Sequence, residues 1–199
     1  MAPTLPSSSW LLLLLLLLGA TATAAAKGSK KLTPPAATAY EWPERYHAVV
    51  VSNQSNHRLQ LIELYYDWPN GRDLNIVRDQ LSGDPPLYNV EWANGTSYLF
   101  DAAASSCRTF HFPVGILPPD WIATAAYLGR DTVDGFECHV WSNFLFSRYY
   151  ADVATGRPVR WIFHGNTRHV LVFEAGGVME DSSKCQAPPY CFLNVVAAS

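Results

Sequence analysis

From residue 46 onward, apolar residues recur at every second position in short runs separated by turn residues. The stretch "YHAVVVSN" is apolar and β-branched, and "HRLQLIELYYDW" alternates around Leu59, Leu61 and Leu64. A period near two places alternate side chains on opposite faces of a half-buried strand. The Pro-Asn-Gly after Trp68 predicts a bend, because Asn-Gly accepts the positive φ angles that tight hairpins need. "RDLNIVRDQL" then returns with Leu74 and Ile76, completing a hairpin.

The unit recurs. "PLYNVEW" and "TSYLFDA" flank a second Asn-Gly bend, "DGFECHVWS" and "FLFSRYYADV" meet near Asn143, and "GRPVRWIFHG" and "RHVLVFEAGG" turn at "GNT". Four hairpins with short connections predict a mainly antiparallel β architecture. In "LPPDWIATAAYLG" Asp120 stands where it would cap a short helix over Trp121 to Leu128, stopping at Gly129. A sheet this long must hide one face, so the expected fold is mainly β: a strongly curved antiparallel sheet, a half-open barrel, with one short helix near its mouth.

The N-terminus alters the picture by assigning an address. Leucines occupy positions 11 to 18 and lead into the small residues of "GATATAAAKGSKK". Such an apolar run before A-x-A residues reads as a secretory signal peptide, cleaved after Ala22, Ala24 or Ala26. A membrane span needs about 20 apolar residues, and only a stretch from Trp10 to Ala26 approaches that, as a competing signal anchor. The organisation expected is a signal peptide (1–26), an extended Pro-, Ala- and Lys-rich lead-in (27–45), one β domain (46–193) and a short tail (194–199), secreted or in the cell wall, with no stable membrane span after cleavage.

An oxidising route gives the four cysteines a disulfide role. The expected pairs are Cys185–Cys191, closing "CQAPPYC", and Cys107–Cys138. No C-x₂-C spacing points to zinc. The sequons at Asn53 and Asn94 are candidate glycosylation sites on the same route. Charge adds little: the formal net charge is -3, with no basic run beyond "KGSKK", so a nucleic-acid partner is not expected.

Chemistry is sparse. A glycosidase needs two carboxylates set about 5–10 Å apart, and Asp67, Glu91, Asp101, Asp134, Glu137, Asp152 and Glu174 form the pool from which a pair would come. Spacing along the strands does not select one, so the catalytic residues are left unknown. Asp67 and Arg72 flank the first bend and read as a cross-strand ion pair. His164 and His169, joined by His139 or His111, are a minimal metal set, and cross-strand histidines without a metal are the simpler reading. No G-x-S-x-G elbow is present, and no cofactor or metal is expected. The excess lies in aromatic residues. Most must fill the core, but alternation sends Tyr65 and Tyr66 to opposite faces, as it does Tyr149 and Tyr150. Tyr66, Trp68, Trp92, Tyr98, Trp141, Tyr149 and Trp161 are therefore the candidate ligand-binding residues, since exposed rings suit stacking on sugars or lining an apolar pocket.

The ordered motifs "YYDWPNGRDLNI", "YNVEWANGTSYLFD", "VGILPPDWIATAAYLGRDTVDGFECHVW", "YYADVATGRPVRWIF" and "QAPPYCF" resemble an uncharacterised family of plant secreted proteins across roughly residues 45 to 192. Some of its members carry a label as transferases of glycosyl groups. A sugar-nucleotide transferase usually requires alternating βα units and often an Asp-x-Asp string, and neither is present here. More distantly, Tyr66, Asp67, Arg72, Cys107, Cys138, Trp141, Pro158 and Val159 follow the motif order of ependymin-related proteins. That resemblance implies a half-barrel shared with bacterial lipoprotein carriers, and an apolar ligand in its concavity. The expected function is a secreted binding module holding an apolar, lipid-like or glycan ligand in the concave face of the sheet. The alternatives are a glycan-acting enzyme with an unidentified carboxylate pair, and a structural or partner-binding protein with a filled core. Two facing carboxylates without a neutralising arginine would favour the enzyme.

Overall fold

The computed structural model describes residues 33–192. The expected signal peptide, the first part of the lead-in and the C-terminal tail lie outside the described residues. The strands are β1 (Arg45–Asn53), β2 (Leu59–Asp67), β3 (Arg72–Asp79), β4 (Leu87–Trp92), β5 (Thr96–Asp101), β6 (Ser106–His111), β7 (Ala126–Val133), β8 (Phe136–Ser142), β9 (Phe146–Asp152), β10 (Pro158–Phe163) and β11 (Asn166–Ala175). They form one antiparallel sheet in the order β6-β5-β4-β3-β2-β1-β11-β10-β9-β8-β7, which leaves β6 and β7 as edges and the curved sheet unclosed. This is the half-open architecture that the alternation predicted. All four expected hairpins are present, with Asp67 opposite Arg72 and Glu91 opposite Ser97.

The topology explains how the interior is filled. The chain meanders outward from β1 to the β6 edge, but its next strand, β7, is the opposite edge. The connection 112–125 must therefore cross the full width of the sheet. It crosses the interior face: Ile116, Trp121 and Ile122 are buried there with Tyr46, Val50, Leu64, Tyr66, Trp141 and Tyr149. A second plug comes from the lead-in, where Tyr40 is buried in the same cluster and the Trp42 indole donates to the Tyr149 hydroxyl at 2.8 Å.

The helix within that connection is shorter than its sequence suggests. Only Trp121–Thr124 forms a single 3₁₀ turn, Asp120 makes no side-chain cap, and Leu128 lies in β7. Helix propensity loses to tertiary pairing here, because residues 126–133 complete the sheet against β8, with a bulge between Tyr127 and Gly129.

The outer face is covered over part of its width. After β11 the chain returns as a strap (177–192) with two short 3₁₀ turns, Ser182–Cys185 and Pro189–Cys191. Under it Leu74, Ile76, Val90 and Phe100 are buried together with Cys185 and Cys191. The strap corrects the expected disulfides. Cys107 on β6 pairs with Cys191, whereas Cys138 and Cys185 are free and buried. The long-range pair staples the strap to an edge strand, which a bridge within the short "CQAPPYC" loop could not do. Cys138 sits under a separate apolar cluster with Val133, Val140, Tyr150 and Val159, and burial pushes its thiol up to about 11. Among the described residues, no helix is long and apolar enough to cross a membrane.

Candidate functional site

Strand alternation puts Tyr66, Asp73 and Glu91 in one row on the interior face, each opposite the next across β2, β3 and β4. From the other half of the sheet Arg168 on β11 joins them, its neighbours being Ser52 on β1 and Trp161 on β10. Asp73, Glu91 and Arg168 keep partial solvent contact, yet burial dominates the behaviour of all three. Together these facts describe groups drawn toward the interior rather than set on an outer surface.

The electrostatics follow from that placement. Burial, and then the Glu91 carboxylate, push Asp73 well above the usual carboxylate range, against the pull of Arg168 and of a backbone hydrogen bond at Glu91. Burial also raises Glu91, opposed by Arg168 and by the Asn89 amide, which donates to its Oε1 at 2.6 Å. Burial lowers Arg168, while Glu91 and Asp73 hold it up. The pair thus retains a proton where a lone carboxylate would have lost it.

The surrounding groups are hydrogen-bonding amides and hydroxyls. The Asn75 amide donates to Asp73 at 3.2 Å, and the Ser97 hydroxyl donates to Asn89 at 2.8 Å. The guanidinium of Arg168 lies 5.5 Å from the centre of the Phe163 ring. None of its nitrogens, however, comes within 4.0 Å of a carboxylate oxygen among the described residues. Arg168 Nε is a buried donor without a partner, and so is Trp121 Nε1 in the interior cluster. The site therefore holds charges of both signs on one interior face without an ion pair between them, and the Arg168 Nε donor is unmet.

The sequence candidates distribute differently. Tyr66, Trp141, Tyr149 and Trp161 are each at most 6% exposed and pack on one another and on Trp42 and Trp121 as core. Trp68 borders that cluster, while Trp92 and Tyr98 pack on the opposite face beneath the strap. The seven rings do not line one pocket. Within the carboxylate pool, Glu91 alone enters the site. Asp67 takes Arg45 at 2.9 Å, Glu137 takes Arg130 at 2.7 Å, Glu174 takes His47 at 3.0 Å and Asp134 takes His169 at 2.7 Å. Asp101 accepts from the amides of its own turn, and Asp152 from Thr155. Sequence reasoning does not single out Asp73 and Arg168. Their positions in alternating strands are polar ones, which in a sheet with a single buried face would point to water.

His164 stands in the β10–β11 turn with φ 46°, and His169 is on β11 opposite Arg160, so they do not face each other. Among the described residues, no three His, Cys, Asp or Glu side chains gather as metal ligands. Asn53 ends β1 and Asn94 sits in the β4–β5 turn, both exposed.

No curated protein matches the chain. Among solved structures, an uncharacterised conserved protein from Thermus thermophilus superposes with a TM-score of 0.51 at 12% identity, over 76% of this chain and 89% of that one. This likeness concerns the fold alone. A family model described as a domain of unknown function, DUF8395, matches residues 41–191. The chain belongs to that family.

Proposed function

We propose that the protein is a secreted binding module that holds a polyhydroxylated, glycan-type ligand in the interior cleft at Asp73, Glu91 and Arg168. The observation that carries this reading is the separation of Arg168 from the two carboxylates, with its Nε unpartnered. Two carboxyls of raised proton affinity, a guanidinium and the Asn75 and Asn89 amides offer donors and acceptors side by side. That is the complement of neutral hydroxyls, and a hydroxyl inserted there would satisfy the unmet Arg168 Nε. A lipid-like ligand, the other class admitted by the sequence and by the ependymin-like motif order, has less support. The rings that would line its pocket are spent on one another and on the crossing segment. Export rests on the leucine-rich N-terminus and agrees with the long-range disulfide.

A second reading, a glycan-acting enzyme, draws on the raised Asp73 beside Glu91, since glycosidases set two carboxyls to different proton affinities. Arg168 weighs against it, because a cation facing both acids stabilises their ionised forms. Titration calorimetry and product analysis with a panel of neutral oligosaccharides separate the two readings. A binding module gives heat without cleavage, and Glu91→Gln weakens binding by about tenfold or more. An enzyme releases product, and Asp73→Asn or Glu91→Gln abolishes that release while binding persists. Absence of both heat and cleavage across the panel overturns the glycan reading.

A further inference from the structure

The outer face holds a second polar site, formed where the strap meets β1 and β2. Two adjoining cavities, about 190 Å³ and about 360 Å³, share Tyr65, Gly177, Val178 and Met179 as common walls. The strap comes close because residue 177 is glycine: a Cβ there would stand 2.8 Å from the His47 side chain. The floor is the His47–Tyr65 pair, stacked with ring centres 4.5 Å apart.

The cavities differ in sign. The smaller is lined by Arg45, Arg72, Asn70, Asp67 and Asp73. Strand alternation turns the Asp73 side chain to the interior face with Tyr66, which leaves two cations against the Asp67 carboxylate. Asp67 takes Arg45 Nε at 2.9 Å, and Arg72 Nε stands 3.6 Å from it without a hydrogen bond, buried. Arg72 is only 9% exposed and otherwise donates to the Cys185 carbonyl at 3.2 Å. The larger cavity is lined by Glu174, Glu180 and Asp181 against Lys184 and His47. Glu174 is engaged by His47 Nδ1, and Asp181 accepts from Ser183, while Glu180 has no such partner among the described residues. His47 Nε2 is buried and unpartnered.

The strand register sets the distance between the two ends. Arg45 opposes Asp67, which opposes Arg72, in one row, and His47 opposes both Tyr65 and Glu174 in another. The rows are two residues apart along β1, roughly 7 Å at the rise of an extended strand. From this geometry we infer that the strap groove binds a small zwitterion whose carboxylate and ammonium lie about that far apart, a dipeptide or ω-amino acid rather than an α-amino acid. The carboxylate docks at Arg45 and Arg72, the ammonium at Glu180 and its acidic neighbours, and the linking atoms lie on Tyr65 between Val178 and Met179. The side chains argued here are on the opposite face from Glu91 and Arg168, although Asp73 borders both sites; the zwitterion site does not rest on the glycan reading.

The test is titration calorimetry of the full chain with glycylglycine, compared with its N-acetylated form, its C-terminal amide and glycine. Binding of glycylglycine is expected, about tenfold or more tighter than each of the other three. Glu180→Gln, at an exposed position, is expected to weaken it by a similar factor while thermal unfolding stays unchanged. Arg45→Gln, which also releases Asp67, is expected to weaken it likewise while the chain still unfolds cooperatively. Arg72 is avoided because its burial makes a variant prone to misfold. Equal binding of a capped form, retention of affinity in either variant, or no binding at millimolar concentration overturns the inference.

Discussion

Asp73 and Glu91 lie directly opposite each other on neighbouring strands, facing the interior of the half-barrel rather than water. Carboxylates so placed lose hydration, which raises both proton affinities, and the Glu91 charge raises that of Asp73 further. The fold tolerates the pair because Arg168 faces it and opposes the rise at both acids.

That arrangement makes stability depend on pH in a definite direction. Both folded-state pKa values are raised above the unfolded values of about 3.9 and 4.3, so the folded state binds more protons than the unfolded chain. The contribution is fully present below the unfolded values and is lost as pH rises from about 4 through the raised folded values. Asp73→Asn is expected to flatten this slope and to stabilise the protein at neutral pH. Urea unfolding at a series of pH values measures it, and a slope unchanged by Asp73→Asn would refute the assignment.

Arg168→Met is expected to cost about 3 kcal/mol near neutral pH, because it leaves buried carboxylates without their cation. The loss should shrink when Asp73→Asn is added, since the acid that most needs the cation is then gone. A double-mutant cycle by chemical denaturation reads the coupling, and strict additivity would count against an electrostatic link across the cleft.

Trp42→Phe is expected to cost about 1 kcal/mol by removing the indole donor to Tyr149, and Trp42→Ala about 3 kcal/mol by also removing the ring from the interior cluster. Thermal unfolding gives the ranking. Equal stability of the two variants would mean that the lead-in does not plug the interior.

The hairpins and the curved sheet were legible because period-two alternation and Asn-Gly bends are local signals. What could not be read was which strands lie at the edges and what covers each face. β6 is short and mostly exposed, so "SCRTFH" carries little apolar alternation. β7 was masked by the helix-forming "WIATAAYL", whose second half pairs with β8 instead. The cleft was invisible for a related reason. Asp73, Asn75, Glu91 and Arg168 occupy the polar half of an alternating pattern, and only the long crossing from β6 to β7 makes that half an interior. The Cys107–Cys191 pair likewise depends on the strap returning to β6, a contact across 84 residues.

Passage through an oxidising secretory route is expected to glycosylate Asn53 and Asn94, which are exposed at a strand end and a turn. Neither is engaged in the core, so Asn53→Gln and Asn94→Gln should each remove one glycan without loss of folding. Expression in a eukaryotic secretory host, followed by endoglycosidase treatment and gel mobility, reports both. An unmodified wild-type chain recovered from the medium would refute glycosylation, and a chain retained in the cell would refute export.

The disulfide assigns distinct fates to the four cysteines. In a chain-entropy account, closing a loop of 84 residues stabilises the fold by about 4 kcal/mol, and it also keeps Tyr190 and Phe192 against β5. Cys107→Ala and Cys191→Ala should therefore lose the same large increment, and the double variant no more than either alone. Cys138→Ala and Cys185→Ala remove only a buried thiol and should cost about 1 kcal/mol each. Alkylation of the denatured, unreduced protein should label Cys138 and Cys185, and peptide mapping should find Cys107 linked to Cys191. A Cys185–Cys191 link would instead leave the strap unstapled from β6, and the equal-loss rule for Cys107 and Cys191 would then fail as well.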